Sequence, residues 1–135
     1  MIVSLAHVNL TVPVGTLDKA EEFYGRTLGL KSPPVPHLQR DSLGWFDIGT
    51  SGQQIHIAFG ENDPDSSRHP CFRIESGKAL LALRKRVWDH YQRADAAAPL
   101  AADEPGKEDS GDKGIEYPVR FFARDYAGNR LEFSL

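Results

Sequence analysis

The chain has 135 residues, a formal net charge of −3 and a pI near 5.9, with 40% hydrophobic and 26% charged residues. That is enough for one domain with a real core. The acidic balance gives no footprint for nucleic acid, and the apolar runs are too short to span a bilayer. The single cysteine, Cys71, excludes an internal disulfide framework and suits a reducing compartment. The opening MIVSLAHVNL lacks the charged and small-residue features of a signal peptide, so a cytoplasmic setting is expected.

The first predicted element is a strand. In LAHVNLTV, residues Val8, Leu10 and Val12 alternate with His7, Asn9 and Thr11, and Pro13 ends the run. A helix follows in GTLDKAEEFYGRTLGL. Thr16 is its expected N-cap, Leu17, Ala20, Phe23, Tyr24 and Leu28 recur at helical spacing, and Gly29 is the stop. KSPPVPH has three prolines in four positions and cannot be regular structure. LGWFDIG and QQIHIAF read as a hairpin around TSG.

GENDPDSSR is a turn-rich linker, and HPCFRIE is another strand. SGKALLALRKRVWDHYQRAD is an amphipathic helix with Leu80, Leu83, Val87 and Tyr91 on one stripe; His90, like His37, is expected at the surface. Residues 98–114 form a polar Pro/Gly loop. IEYPVRFFAR is a strand whose Pro118 marks an edge or bulge, DYAG is a turn, and NRLEFSL is the last strand.

The order strand, helix, strands occurs twice, which divides the single domain 1–135 into a module 1–60 and a module 67–135. HVNLTV matches HPCFRI, and QQIHIAF matches NRLEFSL. Side chains alternate across a strand, so each of these four strands has an apolar and a polar face. The polar faces carry His7, Asn9 and Thr11; Gln54, His56 and Ala58; His69, Cys71 and Arg73; and Arg130, Glu132 and Ser134. Three histidines and a glutamate, one from each strand, suit a divalent transition metal: iron, zinc, manganese, nickel or cobalt. His56 serves equally as a fourth ligand or as an acid–base group. Arg73, Arg130, Asn9 and Gln54 share these faces as candidate substrate contacts, the arginines for an anionic group. Cys71 reads as a small packing residue.

The pieces HVNLTV, AEEFYGRTLGL, QQIHIAF, HPCFRI and RDYAGNRLEFSL resemble the vicinal oxygen chelate superfamily, which includes glyoxalases, bleomycin- and fosfomycin-resistance proteins and extradiol dioxygenases. The helix end FY…LGL and the ending D-x-x-G-N-x-x-E carry the resemblance most specifically. It implies an α+β fold of two βαβββ modules forming a cupped, half-barrel mixed sheet with helices on the outer face. It also implies one divalent metal per site, with His7, His56, His69 and Glu132 as ligands, Glu132 and His56 as catalytic groups, and a small-molecule substrate. A glyoxalase-type site has a carboxylate where this chain has His56, whereas the trio His7, His69 and Glu132 of extradiol or fosfomycin-type sites is intact. Many relatives pair modules between chains, so a homodimer is expected, with no nucleic-acid or membrane partner. The leading reading is a metal-dependent enzyme, isomerase, lyase, transferase or dioxygenase. The alternative is a metal-free protein that binds or sequesters a small molecule on the same fold.

Overall fold

The computed structural model describes residues 1–113 and 119–135. Two compact units emerge, Met1–Asn62 and Asp63–Leu135. The expectation about Pro118 lies outside the described residues.

In the first unit, β1 (His7–Val12) is followed by a helix that begins as α1 (Leu17–Ala20) and continues as a π-helix over Glu21–Thr27. The wider turn shows in the bond from the Leu28 N–H to the Phe23 carbonyl, at 2.9 Å. Thr16 precedes the helix but makes no side-chain cap; its hydroxyl donates to the Pro13 carbonyl instead, at 2.6 Å. Gly29 does stop the helix, with φ +78°, a conformation that side chains resist. Strands β2 (Leu43–Asp47) and β3 (Gln54–Phe59) form the expected hairpin. The sheet order is β1-β3-β2, with β1 parallel to β3. Val12, Phe23, Tyr24, Phe46, Ile55 and Ile57 are buried together with Ala20, so the apolar face of the sheet takes the helix.

In the second unit, β4 (Cys71–Arg73) leads to α2 (Gly77–Arg93), then to β5 (Ala101–Ala102), β6 (Arg120–Arg124) and β7 (Arg130–Ser134). The sheet order is β4-β7-β6-β5, with β4 parallel to β7 and the other pairs antiparallel. Ser76 caps α2 by accepting the Ala79 N–H at 3.1 Å. Leu80, Leu83 and Val87 pack inward with Phe121, Leu131 and Phe133 in the core of this unit.

The second unit is therefore a full βαβββ module, and the first is its counterpart with one strand reduced. Where β5 pairs with β6, the first unit has a single bridge, Lys31 to Asp47. Pro33, Pro34 and Pro36 lack the N–H groups a longer ladder needs.

Two expectations are corrected. His90 is fully buried on the inner stripe of α2, and its Nε2 meets Asp95 Oδ1 at 2.9 Å. Residues 98–114 are not all polar loop, because β5 lies within them and Ala97 and Ala98 are buried just before it. Phe121 and Phe122 of the last-but-one strand are buried, and β6 lies between β7 and β5.

The ending D-x-x-G-N-x-x-E has a structural reason. Asp125 is fully buried and its carboxylate accepts the N–H groups of Ala127 and Asn129 and the Asn129 side-chain amide. Gly128, at φ +85°, completes the turn against Pro64, where a side chain would collide. This turn fixes the register that carries Glu132 onto the polar face of β7.

Candidate functional site

Parity is carried through in both sheets. In the first unit His7, Asn9 and Thr11 stand on the face of Gln54, His56 and Ala58, and β2 adds Leu43, Trp45 and Asp47 opposite Ala58, His56 and Gln54. The His56 ring lies between two others. It stacks on His7, with centroids 4.0 Å apart and planes 9° from parallel, and on Trp45 at 4.8 Å and 14°.

A chain of side-chain hydrogen bonds orients His56. Gln54 donates its amide N–H to Asp47 Oδ1 at 2.8 Å, which turns the amide oxygen toward His56. That oxygen accepts from His56 Nε2 at 2.8 Å. The proton therefore sits on Nε2, and Nδ1 is left with its lone pair. Burial first, and then the charge of His7, push the His56 ring below the ordinary imidazole range, so it is held neutral. His7 is exposed and has no hydrogen-bond partner among the described residues. Trp45 Nε1 is buried and has no acceptor there either.

In the second unit the registers define rows across β4, β7 and β6. Cys71, Glu132 and Phe122 form one row, Arg73, Ser134 and Arg120 the next, and Arg130 and Arg124 a third. His69, just before β4, reaches Glu132: its Nε2 lies 2.9 Å from Oε2. Its Nδ1 donates to the Ser67 carbonyl at 2.7 Å. With Nδ1 carrying a proton and Nε2 facing a carboxylate, a neutral pair needs one shared proton between Nε2 and Oε2. A divalent cation takes the place of such a proton, and a ligand histidine is commonly oriented by a carbonyl at its other nitrogen. The donor chemistry here fits a metal. His69 and Glu132 lie in one unit and His7 and His56 in the other. Among the described residues no group of three or more possible ligands gathers.

Around this pair, Arg120 reaches Glu132 Oε1 at 3.6 Å and Asp109 at 3.3 Å. Burial opposes ionisation of Asp109, but the Gly111 N–H, then Arg120 and Lys113, hold its carboxyl below the ordinary range. Phe122 meets the His69 ring edge-on at 5.5 Å. Cys71, expected as a packing residue, is instead exposed; partial burial first, and then Glu132, push its thiol up, which disfavours a nucleophilic role.

Alternation along the four matched strands assigns His7, His56, His69, Glu132, Asn9, Gln54, Arg73 and Arg130 to the polar faces. Trp45, Asp47, Arg120, Phe122 and Arg124 lie outside those four strands, and β2 and β6 place them alongside. The same alternation in LGWFD and RFFAR carries that signal.

The class these features define is an α+β protein of two related modules, each with a mixed sheet. No protein-family model and no curated protein matches the sequence. Solved structures do. A protein assigned to the glyoxalase family from Bacillus anthracis is 27% identical, with a TM-score of 0.69 over 98% of this chain and 94% of that one. FosX, a fosfomycin resistance protein from Listeria monocytogenes, is 19% identical, with a TM-score of 0.68 over 99% and 92%. A lactoylglutathione lyase from Agrobacterium tumefaciens is 16% identical, with a TM-score of 0.63 over 98% and 93%. The fold is that of the vicinal oxygen chelate superfamily, to which these structures belong. One FosX structure contains Mn(II) and sulfate.

Proposed function

We propose that this chain is a metal-dependent enzyme of the vicinal oxygen chelate type acting on a small metabolite. The observation that carries the reading is the His69–Glu132 pair, at 2.9 Å, with His69 oriented by Ser67. His69 and Glu132 hold one divalent ion together with His7, whose ring nitrogens are uncommitted. When bound, the ion supplies Lewis-acid stabilisation for negative charge developing on two substrate oxygens.

His56 acts as the acid–base group. Its neutral ring, with Nε2 donating to Gln54, supports proton acceptance at Nδ1 better than it supports metal ligation. Asn9 and Gln54 are polar substrate contacts on the same face, with Gln54 also orienting His56. Elemental analysis of protein purified without a His-tag tests the reading. About one divalent ion per site is expected, falling at least about hundredfold in affinity in Glu132→Gln. A wild-type protein that takes up no metal favours the binding-protein alternative instead.

We further propose a homodimer in which His7 of one subunit and His69 and Glu132 of the other complete each site. A mixed dimer of His7→Ala and Glu132→Ala chains then keeps about half its metal, because one of two equivalent sites stays intact. Near-total loss places each site within one chain.

A further inference from the structure

The row of Arg130 and Arg124 lies next to the row that holds Glu132. These two arginines are direct partners across the antiparallel β6–β7 ladder, on the same face. Like charges placed directly opposite each other destabilise a sheet, and natural sheets ordinarily offset them with a carboxylate. Among the described residues neither has one: the ion pairs of this face go to Arg120, which Asp109 and Glu132 neutralise. Arg124 donates to the Gly128 and Ser66 carbonyls, both at 3.0 Å, which fixes its position without cancelling its charge. Arg130 lies over the Phe122 ring, its guanidinium carbon 4.4 Å from the centroid, and no hydrogen bond engages its N–H groups among the described residues. Stacking of this kind holds the guanidinium plane and leaves its N–H edges for an acceptor. Both side chains are half-buried, so water screens their charges incompletely.

Two half-buried guanidinium groups on one face, without a carboxylate partner among the described residues, are suited to an oxyanion. We propose that Arg130 and Arg124 bind a carboxylate, phosphonate or phosphate group, and that the substrate carries such a group beside its two chelating oxygens. The second half of that statement rests on the metal-site reading above; the first does not. Arg130 had been a candidate from its strand face, and the register adds Arg124 as its partner. Arg73 is exposed in a different row and is not part of the receptor.

The test uses the full chain stripped of metal with a chelator, and titrates inorganic phosphate and, separately, acetate by calorimetry. Saturable binding of at least one of them is expected, and which one binds more tightly separates a phosphoryl from a carboxylate substrate. Arg130→Gln and Arg124→Gln should each weaken it at least about tenfold. Arg26→Gln, which removes an exposed cation paired with Glu22, should leave it unchanged. Thermal unfolding guards against a folding artefact. The anion should raise the wild-type Tm and leave that of Arg130→Gln unmoved, while Arg130→Gln without anion should melt no lower than wild type, because repulsion has been relieved. Absence of saturable binding in the wild type, or equal binding by wild type and Arg130→Gln, overturns the receptor. Metal uptake is measured on the same preparation. Metal uptake with no anion binding overturns this inference alone; anion binding with no metal uptake overturns the enzyme reading alone.

Discussion

The two modules share a plan and differ in what they do with their polar faces. In the first, the face is built from stacked rings, His7 on His56 on Trp45, with one carboxylate, Asp47, committed to Gln54. In the second, Arg73, Arg120, Arg124 and Arg130 share the face with Glu132. The first face is suited to holding one neutral ring in one tautomer. The second is suited to charge, either a cation at Glu132 or an anion at Arg130. Two units with a similar strand plan thus carry different chemistry on their polar faces, which strand alternation permits without disturbing the buried face.

The largest expected effects test whether the modules are equivalent in stability. Phe133 is buried against Phe121 at 4.6 Å and Phe72 at 5.7 Å. Phe46 on β2 is a buried aromatic of the first core, 5.6 Å from Tyr24. Truncating either to alanine should cost about 3–5 kcal/mol. Hydrogen exchange followed residue by residue would show whether each loss stays within its own unit. Loss of protection across both units from either substitution would mean that they unfold as one.

Next in size are the glycine turns. A Cβ on Gly128 would stand 2.6 Å from Pro64 Cβ, at φ +85°. Gly52, in the first module's hairpin, has φ +78° but open space around it. Gly128→Ala should cost about 1–3 kcal/mol by urea denaturation and Gly52→Ala about 1 kcal/mol, the difference being the clash. Equal costs would show that Pro64 gives way.

A smaller effect depends on pH. The hydrogen bond to His90, first among its causes, holds Asp95 below its ordinary carboxylate value. A depressed carboxylate stabilises the fold above its unfolded pKa, and that contribution fades as pH falls through the lower folded value. Asp95 is well exposed, so solvent screening keeps the contribution to about 1 kcal/mol or less. Asp95→Asn should therefore melt slightly below wild type at pH 6, with the gap closing toward pH 3. A gap that persists unchanged in acid would assign it to packing rather than charge.

The smallest change in stability carries a clear spectroscopic signature. Nitrogen NMR should find the His56 proton on Nε2 in the wild type, and a mixture of tautomers in Gln54→Leu. A wild-type ring protonated on Nδ1 would remove the basis for its proposed acid–base role.

Much of this was legible in the sequence. Alternation in HVNLTV, QQIHIAF, CFRI and RLEFSL determined which side chains share a face, because successive Cβ directions are a covalent property of an extended chain. The helical stripe Leu80, Leu83, Val87 and the stop at Gly29 were local in the same sense. What lay beyond the sequence depends on partners distant along the chain. The stripe ended on His90, not on Tyr91 alone, because Asp95 satisfies a buried imidazole that composition would place outside. The first module has one strand fewer because a ladder needs N–H groups along its whole length, and three prolines leave the Lys31–Asp47 bridge there instead. The pairing of Arg124 with Arg130 and the chain Asp47–Gln54–His56 arise from ladder register, which long-range hydrogen bonding and the turn at Gly128 fix. Alternation assigns a residue to a face; only register decides which neighbour it meets there.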